Sequence, residues 1–136
     1  VIKGLSIVSV WVLDQDSARD FYTTKLGYQL TNDLTLDNGM RWLTVRHPGN
    51  PDQELLLMDP DHSMLDADSA KQLRQLIAKG VLSPGVMATT DCRTDHATLS
   101  ATGVEFTQPP AVRPYGVEAM LRDDSGNWYS FTQRTV

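Results

Sequence analysis

The chain has 136 residues, with 12 Lys and Arg against 17 Asp and Glu and a formal charge of -5; 40% of residues are hydrophobic and 21% charged. A chain of this size buries roughly two-thirds of its surface without cross-links, and its composition excludes a disordered chain. The acidic balance argues against nucleic acid as a partner, and no apolar run approaches the ~20 residues of a membrane span, so no membrane partner is expected.

Taken in order, residues 1–4 lack the long apolar stretch of a signal peptide. Residues 7–13 are rich in β-branched side chains and read as a strand. Alternation puts Val8, Val10 and Val12 on one face and Ile7, Ser9 and Trp11 on the other. Asp16 or Ser17 then caps a helix carrying Ala18, Phe21, Tyr22 and Leu26, and Gly27 supplies a left-handed ending. Strands follow over 28–34, 40–46 and 54–58, separated by turn-rich loops at Asp37-Asn38-Gly39 and at 47–51. Residues 64–80 form a helix, capped by Asp66 or Asp68, striped by Ala70, Leu73, Leu76 and Ile77, and stopped by Gly80.

The remainder repeats the beginning. At an offset of 77 positions Asp14 falls on Asp91, Gly39 on Gly116, Gly49 on Gly126 and Asn50 on Asn127. The second copy has a strand over 86–90, a helix from Asp91 or Thr94 anchored by Leu99 and ended by Gly103, and strands over 104–107, 117–122 and 128–133. Pro51, Asp52 and Gln53 are extra in the first copy, so Leu56 corresponds to Ser130. The expected organisation is a βαβββ module over 1–60, a helical linker over 61–83, and a second βαβββ module over 84–136. Neither module is large enough to close its own core well, so the two should pair. The single Cys92 excludes an internal disulfide, reads as a small buried thiol, and fits a reducing cytoplasm.

Three segments carry a family resemblance: residues 14–22 with Leu26-Gly27-Tyr28, then Gly103-Val104-Glu105-Phe106, then residues 122–127. In this order and within this repeat they resemble the vicinal oxygen chelate superfamily, which includes glyoxalase I, the extradiol dioxygenases and the bleomycin-resistance proteins. One departure is Asp124, where that family usually has proline. The resemblance implies an α+β fold: two paired βαβββ modules forming a curved, cleft-lined mixed sheet with helices on the outer face. It also implies a homodimer. In metal-using members, side chains at the first and last strands of each module hold a divalent ion. Carried over, those positions are Ile7, Leu56, Pro84 and Ser130. None is a usual ligand for such an ion, so no metal and no cofactor are expected. His47, His62 and His96 lie elsewhere, in two loops and a helix.

Strand alternation then gives the expected cleft lining. Ile7, Ser9 and Trp11 come from the first strand, Glu54, Leu56 and Met58 from the end of the first module, and Trp128, Ser130 and Thr132 from the last strand, with Tyr115 at the rim or in a simple turn. Two indoles, a thioether, hydroxyls and one carboxylate suit a planar or aromatic organic molecule, with Glu54 placed for a positive charge. The expected function is metal-free binding or sequestration of a small molecule. The alternatives are a metal-dependent lyase, isomerase or dioxygenase of the same superfamily, an enzyme without metal that uses Glu54 or another buried acid as base, and an interaction module whose cleft is only core.

Overall fold

The computed structural model describes residues 1–135. The first module comprises β1 (Ile7–Trp11), α1 (Gln15–Asp20) continuing into a π-helical turn (Phe21–Lys25), β2 (Gln29–Thr35), β3 (Arg41–Arg46) and β4 (Glu54–Met58). A short 3-10 turn (Pro60–His62) and α2 (Ala67–Lys79) link it to β5 (Gly85–Ala88), α3 (Cys92–Ala101), β6 (Glu105–Arg113), β7 (Gly116–Arg122) and β8 (Trp128–Arg134). Hydrogen bonding forms two four-stranded sheets, β1-β4-β3-β2 and β5-β8-β7-β6, the same order in each copy. Parallel pairing of β1 with β4 sets Ser9 against Leu56, and that of β5 with β8 sets Val86 against Ser130. The expected α+β fold of two βαβββ modules is therefore what the chain adopts.

The local signals behind the repeat are the ones that shape the backbone. Asp14 and Asp91 each cap a helix, accepting from the backbone N–H of Ser17 at 2.9 Å and of Thr94 at 3.1 Å. Gly27 and Gly103 both follow a helical segment with φ of 79° and 93°, a conformation that penalises any residue with a Cβ. Asp66 caps α2 and Gly80 ends it, both as expected.

One apolar cluster draws on both modules. Val10, Val12, Leu43, Val45 and Leu57 of the first sheet meet Ala119, Leu121, Tyr129 and Phe131 of the second, with Ala18, Phe21, Tyr22 and Cys92 beneath them. Val10 and Val12 share the face that alternation set apart from Ile7 and Ser9, which are exposed. Cys92 is a buried free thiol.

The turn at 123–127 fastens the modules together. Ser125 Oγ accepts from the N–H of Leu13 at 2.9 Å, and Asn127 Nδ2 donates to the carbonyl of Trp11 at 2.8 Å. Asp124, at the position where proline is usual in the resembled family, accepts from Ser17 Oγ at 2.7 Å.

Two segments differ from the sequence reading. β6 runs to Arg113 rather than ending at Thr107. It is an edge strand, where Pro109 and Pro110 need no ladder donors, and bulges absorb them. The start of the first helix also differs: Asp14, in extended conformation, caps it through Ser17 N–H, rather than the expected Asp16 or Ser17. On α2, Arg74 pairs with Asp59 at 3.1 Å and Asp61 at 3.4 Å, tying the acidic turn around His62 to the helix.

Candidate functional site

A cavity of about 550 Å³ opens on the second sheet. Its lining alternates with the core residues, so it lies on the face opposite the helix. β8 gives Trp128, Ser130, Thr132 and Arg134; β7 gives Glu118 and Met120; β5 gives Gly85 and Val86. Ser83 and Tyr115 complete the rim. Cross-strand register builds the floor, placing Glu118 against Thr132 and Met120 against Ser130. Tyr115 sits in the β6–β7 turn, half of its surface open to solvent.

The floor is polar and organised around Glu118, which is only 7% exposed. Ser130 Oγ donates to Glu118 Oε2 at 2.5 Å and Tyr115 OH to Glu118 Oε1 at 2.7 Å. Ser130 and Thr132 share a hydroxyl–hydroxyl bond of 2.7 Å. Arg113 Nε stands 3.7 Å from Glu118 Oε1. The Ser130 hydrogen bond, helped by Tyr115 and Arg113, holds the Glu118 carboxyl below its ordinary value despite burial. The same carboxylate raises the Tyr115 phenol above its ordinary value. At neutral pH the floor is thus a carboxylate ringed by protonated hydroxyls.

Because the folded value of Glu118 lies below its unfolded one, the unfolded chain binds more protons in acid. The stabilisation is present above the ordinary carboxylate value of 4.5 and is lost as pH falls through the lower folded value. Melting temperatures measured from pH 7 to pH 3 should fall less steeply for Glu118→Gln than for the unaltered protein. Parallel profiles would count against an ionised Glu118 that supports the fold.

The cavity brings together four of the expected residues: Tyr115, Trp128, Ser130 and Thr132. The other six lie on the corresponding face of the first sheet, outside this cavity. They form three cross-strand pairs, Ile7 with Glu54, Ser9 with Leu56 and Trp11 with Met58. Leu56 and Met58 are buried there, while Trp11 and Glu54 are half-buried. Trp42, also half-buried, lies on the same open face, since it alternates along β3 with the core residue Leu43. Sequence reasoning missed Glu118 and Met120. Their signal was present in 117–122, where Val117, Ala119 and Leu121 alternate with them toward the core.

The residues do not fit the divalent metal of the metal-using relatives. Ile7, Leu56 and Pro84 offer no side-chain donor, and the Ser130 hydroxyl is committed to Glu118. Among the described residues no three His, Cys, Asp or Glu side chains converge.

The family model described as Glyoxalase/Bleomycin resistance protein/Dioxygenase superfamily matches residues 4–131. The chain belongs to this superfamily. Among solved structures this superfamily member is similar to UcmS2, at 43% identity and a TM-score of 0.91 over 98% of this chain and 99% of that one. It is also similar to TnmS3, an antibiotic binding protein from Streptomyces sp. CB03234, at 31% identity and a TM-score of 0.77 over 98% of each chain. The uncharacterized protein YurT of Bacillus subtilis is 29% identical over 94% of this chain and 97% of its own length.

Proposed function

We propose that this protein captures a planar organic molecule of the antibiotic kind and holds it without turnover or metal. The observation that carries this reading is the cavity itself: Trp128 and Met120 supply an aromatic and thioether wall above a buried, ionised Glu118. The antibiotic-binding description of TnmS3 supports the ligand class.

We further propose that it works as a homodimer. The cavity is open and lined by one sheet only, while the first sheet leaves Ile7, Leu34, Trp11 and Trp42 on its open face with at least part of their surface in solvent. In this reading the first-sheet wall of one protomer, with Ile7, Ser9, Trp11, Glu54, Leu56 and Met58, faces the second-sheet wall of the other. The expected two-walled cleft then forms between chains. The proposed setting is the cytoplasm, in keeping with the unpaired Cys92.

Titration with daunorubicin and proflavine tests the capture. The expected result is saturable quenching of indole fluorescence, with each compound recovered chemically unchanged after prolonged incubation. Consumption of many equivalents of compound per chain would overturn the reading in favour of an enzyme. Failure of every planar compound to bind would overturn it altogether.

A further inference from the structure

The hydroxyls around Glu118 carry one proton each, and the hydrogen bonds show where those protons point. Ser130 donates to Glu118 Oε2 and Tyr115 donates to Glu118 Oε1. A carboxylate has no proton to return. With its only proton committed to Glu118, Ser130 can act only as acceptor toward Thr132, so Thr132 is the donor in their 2.7 Å contact. The protons therefore run Thr132 to Ser130 to Glu118, and Tyr115 to Glu118. What the floor turns toward the cavity is lone pairs.

Resting on the capture reading above, we infer that the floor is a hydrogen-bond acceptor surface that selects planar molecules bearing an O–H or N–H group at their buried end. Glu118 is the residue that sets this polarity. A carboxylate has about four acceptor sites, and Glu118 uses two in short bonds and offers a third to Arg113 at 3.7 Å. A ligand donor placed there gains a charge-assisted hydrogen bond. A ligand carbonyl or ether placed there meets only lone pairs after losing its water.

The cationic groups near the floor do not reverse this. Arg113 faces Glu118 and also donates to Gln108 Oε1 at 3.2 Å. Gln108 Nε2 is directed to the backbone carbonyl of Glu118 at 3.2 Å. Arg134 lies at the exposed end of β8, so a ligand's acceptor or anionic groups belong on that side.

The test uses three probes with one ring system: 2-naphthol, 2-methoxynaphthalene and 2-acetylnaphthalene, titrated by calorimetry. The unaltered protein should bind the naphthol about tenfold more tightly than the other two, the effect of one hydrogen bond to a charged group. In Glu118→Gln, whose amide brings an N–H to the floor, the preference should shrink to about threefold or less. Circular dichroism checks that the variant folds. Should it not, Thr132→Val removes the first hydroxyl of the Thr132–Ser130–Glu118 chain without changing shape, and the preference should fall by about threefold. Equal affinity for all three probes in the unaltered protein would overturn the inference while leaving planar capture standing. A preference unchanged in both variants would also overturn it. Binding of none of the three would overturn the inference, and the capture reading falls with it when daunorubicin and proflavine also fail to bind.

Discussion

Asp123→Ala should destabilise the protein by about 3 kcal/mol or more, through the loss of one carboxylate that four buried donors share. Asp123 Oδ1 accepts from the backbone N–H groups of Ser125 and Asn127, both at 2.9 Å. Its Oδ2 accepts from Asn127 Nδ2 at 2.9 Å and from Tyr22 OH at 2.7 Å. Tyr22 and Asn127 are almost completely buried, so water cannot replace the lost partner. The consequence reaches beyond a turn. Asn127 holds the Trp11 carbonyl, Ser125 receives the Leu13 N–H, and the Tyr22 hydroxyl also bonds Tyr129 at 2.7 Å. Loosening this turn unfastens the seam between the modules. Thermal unfolding should show a fall of roughly 10 °C in the melting temperature. Tyr22→Phe, which removes one donor and keeps the ring in the core, should cost about 1–2 kcal/mol. A melting temperature unchanged in Asp123→Ala would mean that the seam is held by the apolar cluster alone.

The features legible in the sequence were those with a local cause. Asp91 announces a helix start because its side chain satisfies a backbone donor three residues away; Asp14 does the same for α1, where Asp16 or Ser17 was the expected cap. Gly27 and Gly103 announce left-handed turns because other residues resist them. Period-two alternation separated Val10 and Val12 from Ile7 and Ser9, and Tyr129 and Phe131 from Trp128 and Ser130. What was not legible depends on distant pairing. β6 continues through Pro109 and Pro110 only because it is an edge, and edge status is a property of the sheet, not of the strand. Glu118 is a functional residue only because β7 sets it beside Ser130 and Thr132 of β8 and the turn brings Tyr115 over it. Glu54 carried the expected anionic role because it shares a strand with Leu56 and Met58, whereas the buried carboxylate in the cavity is Glu118. The alternation told which way each wall faces; it carries no information on which wall stands opposite which.

That last relation has its own expected result. Trp11→Ala and Trp128→Ala should each weaken daunorubicin binding by about tenfold, the loss of one stacking indole with its buried area. Mixing the two variants and letting their subunits exchange should restore a fraction of sites to full affinity. In the proposed homodimer each pocket takes Trp128 from one protomer and Trp11 from its partner. A mixed dimer then holds one pocket that lacks both indoles and one that lacks neither. Random exchange of equal amounts makes half of the dimers mixed, so about a quarter of all sites regain both indoles. If both indoles lined one pocket within a single chain, every site in the mixture would still lack one, and no tight fraction would appear. Trp128 lines the cavity wall beside Met120 and Ser130 within its own chain. Trp11 contributes only if a second copy brings its first sheet across. A Trp11→Ala variant with unaltered affinity, or a fully exchanged mixture with weak sites alone, would reject the two-chain pocket and leave the second sheet to hold the ligand by itself.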